Sequence, residues 1–378
     1  MTITRRENNN MAGSGSSTQV AVAPPRAQLN LRPGERVRVR PLDEIMATLD
    51  QHGALDGLPF MPEMTPYCGK TFTVWRRADK VCDTIVGPYM RQMFDTVHLA
   101  EARCDGAAHG GCQAGCMFHW RESWLERVDP HERSNEPAEL GPVGDLPSLL
   151  VENTRQPHDP EAYRCQATQM LEAAPIRLRW WDPRPWWRDV KSGNVTGRAA
   201  VRGYAIQAFN KLQGFSRRYL PPFLRIKGAV KYPFVQGTLT KTPKETLDLQ
   251  PGELVEVRPL AEIEATLNHD NKNRGLSFDR ESIRYVGRQA RVLRRVDRII
   301  DEATGRMNHL GSDCLIIEGF ICEGDYHELC PRSGFPYWRE IWLRRVETTP
   351  TPVSISRSVN GSRGNGDSGP DAQRHREQ

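Results

Sequence analysis

LNLRPGERVRVRPLDEIMATLD, Leu29 to Asp50, returns as LDLQPGELVEVRPLAEIEATLN, Leu247 to Asn268. The offset is 218 residues, and it holds without a gap through Gly57/Gly275, Phe60/Phe278, Tyr67/Tyr285, Gly69/Gly287, Arg76/Arg294 and Asp83/Asp301. It still holds where HWRESWLERV from His119 matches YWREIWLRRV from Tyr337. Self-similarity over such a span is the mark of a duplicated domain of roughly 100 residues, a size at which chains fold independently.

Each repeat reads as mostly β. Arg36 to Arg40 alternates charged and β-branched residues, the pattern of a half-buried strand, and Pro41 to Leu49 then carries apolar residues at helical spacing. Gly69 marks a turn into a second alternating strand. WRESWLERV is compatible with helix or strand; with Trp120 and Trp124 on one face and Ser123 and Leu125 on the other, the β context favours a closing strand.

The layout PGERVRV, a connecting segment, P-x-Y with a following glycine, and a valine-rich strand resembles Src-homology-3-like small barrels, in particular those of nitrile hydratase beta subunits and the KOW group. The chain as a whole resembles a set of bacterial proteins with the same two-copy layout, YRCQAT and WWDP in the middle and WREIWL at the end. The resemblance implies a mainly β fold with α, two duplicated small β-barrel domains joined by a helical, basic, Trp-rich segment. Repeat one is expected at 29–130, a linker at 131–158, the bridge at 159–246 and repeat two at 247–347. The polar ends, 1–28 and 348–378, are too poor in apolar residues to fold and are expected to be disordered. No activity follows: the metal-binding cysteines of nitrile hydratases belong to their other subunit, and nothing here reproduces that motif.

No apolar run approaches the ~18 residues needed to cross a bilayer, and MTITRRENNNMAGSGSSTQ lacks the apolar core of a signal peptide. A cytoplasmic protein without a transmembrane segment is therefore expected. Its nine cysteines should then be reduced thiols, buried, metal-bound or reactive, and not a disulfide framework.

Cys104, His109 and Cys112 stand opposite Cys322, His327 and Cys330, so C-x4-H-x2-C occurs twice while the intervening residues differ. Sulfur and imidazole persist where the loop does not, as ligands to a metal would. Zinc takes four such ligands in a tetrahedron, and Gly106, Gly110, Gly111 and Gly115 let a short loop wrap an ion. In repeat one the set is Cys104, His109, Cys112 and Cys116, with Cys82 a further candidate from a neighbouring strand. In repeat two Gly334 replaces Cys116, and Cys314, separated from Cys322 by seven residues, can supply the fourth ligand. An iron–sulfur cluster is the alternative, since thiolates suit both. Free buried cysteines, or a nucleophilic Cys104 beside Arg103 and His109, are the remaining readings.

Other chemistry is thinly represented. Glu122 and Glu340, each flanked by tryptophans, have the setting of a general acid but read more simply as ion pairs with Arg121 and Arg339. Asp83 and Asp301 read as turn formers. There is no Walker A loop, GxGxxG, GxSxG or HExxH. The common nucleotide-dependent and hydrolytic mechanisms are thereby set aside. The expected function is a non-enzymatic, zinc-stabilised binding or assembly protein; a metalloenzyme or iron–sulfur protein with its site in repeat one is the alternative.

Between the repeats, Ile176 to Pro233 carries thirteen Lys and Arg against Asp182 and Asp189, with Trp180, Trp181, Trp186 and Trp187 at its start. TGRAAVRGYAIQAFNKLQGFSRRYL reads as a helix capped by Thr196, with Val201, Ala205, Ala208, Phe209 and Leu212 as its apolar stripe. Packing of that stripe on the repeats is the simplest reading. A protein partner is expected, and the basic charge of 176–233 also suits an anionic membrane surface or nucleic acid.

Overall fold

The computed structural model describes residues 28–87, 89–128 and 146–346, so both tails and most of the 131–158 linker lie outside the described residues. The protein is mixed α/β, with substantial strand content arranged in small antiparallel sheets. Arg36–Val39 pairs with Thr71–Arg77 on one side and Leu125–Arg127 on the other, and Thr71–Arg77 continues the sheet to Thr96–Leu99 and Trp120–Arg121. Leu254–Val257 pairs likewise with Gln289–Arg295 and Leu343–Arg345, and Gln289–Arg295 with Leu315–Ile317.

The register carries the sequence offset into space. Arg36 faces Thr73 as Leu254 faces Arg291, and Val37 faces Arg127 as Val255 faces Arg345. Even the irregularity recurs, between Val74 and Arg76 and again between Val292 and Arg294. The alternation expected of Arg36–Arg40 is realised: Val37 and Val39, like Val255 and Val257, face the core, with the intervening residues half-exposed. The short helix predicted after this strand forms at Leu42–Met46 and Leu260–Glu264.

Tryptophans fill both cores. Trp120, Trp124, Trp338 and Trp342 are fully buried. Phe60 meets Trp124 edge-on at 5.3 Å, and Phe278 meets Trp342 at 5.2 Å. Each of these indoles donates its N–H to a threonine hydroxyl, Thr48 or Thr266, at 3.0 Å, so neither carries an unpaired polar group into the core.

The closing strand is not continuous. A one-turn 3-10 helix, Glu122–Trp124, separates Trp120–Arg121 from Leu125–Arg127, and Glu340–Trp342 repeats it. The cause is the carboxylate. Glu122 accepts from the Asn30 and Leu31 amides and pairs with Arg77, while Glu340 accepts from Leu247, Asp248 and Leu249 and pairs with Arg295. The expected Arg121–Glu122 pair is therefore absent: Arg121 donates to the carbonyls of Leu55, Asp56 and Phe94. Burial alone would raise the Glu340 carboxyl, but Arg295 and the three amides hold it below its usual range. That is the opposite of a general acid.

The bridge docks on both repeats, through Lys80 of the first and Leu329 of the second. Helix Arg184–Ser192 buries Trp186 and sets Asp189 against Lys80 at 2.6 Å, both charges buried. Trp180, Trp181 and Trp187 stay exposed, so one of the four indoles anchors the segment. Thr196 caps the following helix, Gly197–Tyr219, by accepting from the Ala199 amide. Its buried face is not the expected stripe but Ala200, Gly203, Asn210, Gln213 and Ser216. Gly203 leaves room for Trp186 and Leu329. Asn210 binds the Tyr232 main chain on both sides, and Gln213 donates to the Ile226 and Val230 carbonyls. These amides hold the return segment against the helix and turn Val201, Ala205 and Leu212 to the surface. No helix among the described residues is long and apolar enough to cross a membrane.

Candidate metal centre

The two Cys/His loops have the same backbone. Cys104 N–H donates to Cys116 O and Cys322 N–H to Gly334 O, both at 2.8 Å; His109 and His327 donate to Gly106 and Gly324, both at 2.9 Å. The glycines are obligatory at one place in each. Gly106 has φ +72° and a Cβ there would lie 2.1 Å from Cys112 O; Gly324 has φ +84° and its Cβ would lie 2.6 Å from Cys330 N.

Both loops open into one cavity of about 580 Å³. Each is reached by the hairpin of the other repeat: Cys82 N–H donates to Cys330 Sγ at 3.2 Å, and Ile300 N–H donates to Cys112 Sγ at 3.4 Å. Thr84 and Glu302, equivalent positions, bond to each other, the self-complementary contact expected where a two-fold relation passes between two copies. Arg332 is half-buried between the loops, paired with Glu302 at 2.9 Å, which holds it charged against the cost of burial.

Among the described residues, Glu281, Cys322 and His327 form the one group whose potential ligand atoms lie within 4.8 Å of one another. His327 Nε2 faces both oxygens of Asp279 at 3.2 Å, which leaves Nδ1 for an ion. Burial opposes the imidazolium, yet the Asp279 hydrogen bond and the charges of Asp279 and Glu281 raise it to about 9. Glu281 Oε1 accepts from Tyr326 N–H at 2.6 Å, while Oε2 is buried without a hydrogen-bond partner. Burial lifts this carboxyl to about 6 and pushes the Cys322 thiol well up.

Repeat one differs at the imidazole. His109 is buried with Nδ1 2.6 Å from Glu63 Oε1 and Nε2 3.1 Å from the Arg164 carbonyl, to which Nε2–H donates. Neither nitrogen is left for a metal. Cys104, Cys112 and Cys116 line the cavity, joined by Cys165 of the bridge; Cys314 does not, being buried against Val296 and Ile316. The neighbouring Cys330 sulfur, with Arg332 and His327 assisting, holds Cys82 down, while burial raises Cys330. Burial lifts Cys116 to about 12 and Cys165 to about 11, so as free thiols they are neutral.

Sequence reasoning passed over Glu63 and Glu281, though a glutamate at the same point of both repeats was a usable signal. Cys165 stands alone in sequence and gave none. Nor did His98 and His119, whose ring centroids lie 4.4 Å apart at a tilt of 57°, with three nitrogens buried and unpartnered. Asp83 and Asp301 are turn formers as expected, accepting from Ile85 and Val86, and from Thr304. No family model, curated protein or solved structure matches the chain.

Proposed function

We propose that the chain is a non-enzymatic, zinc-stabilised binding protein of the cytoplasm, built from two copies of a small Src-homology-3-like barrel. Zinc is held in repeat two by Glu281, Cys322 and His327. The observation that carries this reading is the convergence of a carboxylate, a thiol and an imidazole within 4.8 Å, one carboxylate oxygen being buried and unpaired. Two anionic ligands among the three neutralise a divalent cation, and Asp279 on His327 is the outer carboxylate that orients zinc-bound imidazoles. The experiment is elemental analysis of anaerobically purified protein. It should find zinc in the wild type and lose it in Cys322→Ser and His327→Gln; zinc that survives both substitutions contradicts the site.

The partner surface is the outer face of the bridge helix and the turn after it. Leu212, Phe215, Tyr219, Phe223, Leu224 and Ile226 are all exposed, Phe223 at 83%. Arg217, Arg218, Arg225 and Lys227 are interleaved with them. Apolar side chains ringed by cations fit an anionic lipid surface, where the rings enter the interface and the cations meet headgroups. Sedimentation with phosphatidylserine vesicles should retain the wild type and lose Phe223→Ser/Leu224→Ser. Binding to oligonucleotides with no vesicle retention would replace the membrane by nucleic acid.

A further inference from the structure

We infer that repeat one holds a second, all-thiolate metal centre, an iron–sulfur cluster bound by Cys104, Cys112, Cys116 and the bridge residue Cys165. The loop histidine is spent, since Glu63 and the Arg164 carbonyl occupy both nitrogens of His109. The bridge supplies a thiol in its place. Gln166 clamps the His119 main chain, accepting from its N–H at 2.8 Å and donating to its carbonyl at 2.9 Å. That clamp sets the adjacent Cys165 on the cavity wall with the three loop cysteines.

Spacing separates a cluster from a single ion. Thiolates around one zinc at ~2.3 Å stand about 3.8 Å apart. Among the described residues, ligand atoms gather within 4.8 Å in repeat two and not among these four cysteines. A polynuclear cluster sets its irons apart and holds its thiolates at wider separation, and the cavity of about 580 Å³ gives it space. The Ile300 N–H on Cys112 Sγ is the kind of hydrogen bond that stabilises a cluster sulfur. His119, fully buried, lines the same cavity with both ring nitrogens unpartnered. Polar atoms buried without partners point to an occupant of the cavity. The centre shares no ligand with the zinc site of repeat two and stands or falls independently of it.

The test is anaerobic reconstitution of the full chain with ferric iron, sulfide and a thiol reductant that brings part of the iron to the ferrous state, followed by gel filtration and assay of iron, acid-labile sulfide, zinc and visible absorption. The wild type should retain iron and sulfide with a broad visible band. Cys165→Ser should lose at least tenfold of the iron, and Cys314→Ser none. Cys116→Gly serves should Cys165→Ser fail to fold, because glycine already occupies the matching position, Gly334; it too should lose the iron while keeping zinc. A wild type without iron and sulfide overturns the cluster. So does iron unchanged in Cys165→Ser and Cys116→Gly, or a second zinc lost from these variants in place of iron. Absence of zinc with the cluster present would instead remove the repeat-two site alone.

Discussion

The amide of Cys82 donates to the sulfur of Cys330, 248 residues away, and the amide of Ile300 does the same for Cys112. Each repeat thus reaches across to the loop cysteine of the other. The donor is main chain, which explains how a cysteine in one repeat and an isoleucine in the other perform the same task. Cys82→Ile is therefore expected to keep the fold and the zinc, whereas Cys322→Ser loses zinc. Elemental analysis and thermal unfolding of the two variants check this.

Gly324→Ala should disrupt the repeat-two loop, because its Cβ would fall 2.6 Å from Cys330 N at φ +84°. Gly34→Ala is the control for φ alone: at φ +88° with nothing within 4 Å, it should cost about 1–2 kcal/mol. Denaturant titration should place Gly324→Ala well below Gly34→Ala, with its zinc lost.

The alternating strand at Arg36–Val39, the short helix after it and the inward tryptophans were legible in the sequence because apolar periodicity depends on local order alone. The buried face of Gly197–Tyr219 was not. Its inward residues, Asn210 and Gln213, are buried by bonding main chain of 226–232, and apolar periodicity does not register burial by polar side chains. Two of the expected ligands, Cys314 and His109, are otherwise engaged for a related reason. Spacing along the chain suggested Cys314 and His109; the fold buries Cys314 off the cavity and occupies both nitrogens of His109. Glu281 comes to Cys322 and His327 from a 3-10 turn, and Cys165 comes to the cavity from the bridge, juxtapositions made by the tertiary fold.

Lys80 and Asp189 tie the bridge to repeat one as a buried pair 2.6 Å apart. Lys80→Met leaves the carboxylate buried without its cation and should destabilise the protein by about 3–5 kcal/mol. Chemical denaturation measures this, and Lys80→Met/Asp189→Leu should recover most of the loss.

Acid should weaken repeat one through His98. Burial holds this imidazole down to about 4 against an ordinary 6.5, with the Phe118 carbonyl bond opposing. The folded protein keeps it neutral while the unfolded chain takes a proton, so the contribution is complete above pH 6.5 and drains as pH falls towards 4. The loss from this group is about 3 kcal/mol. Carboxylates titrate in the same window, so the difference between wild type and His98→Gln isolates it: the variant's stability should fall less steeply between pH 6.5 and 4.

Trp342→Ala empties the centre of repeat two and leaves Thr266 without its indole donor. A cost of about 3–5 kcal/mol is expected. The equivalent change, Trp124→Ala, should cost a similar amount, read as matched falls in the denaturation midpoint.

The most direct measurement is zinc per molecule in the anaerobically purified chain, beside Glu281→Gln and Cys322→Ser. One zinc in the wild type, lost from both variants, is the expected result. A zinc-free wild type, or zinc indifferent to both substitutions, would contradict the assignment of Glu281, Cys322 and His327 as a metal site.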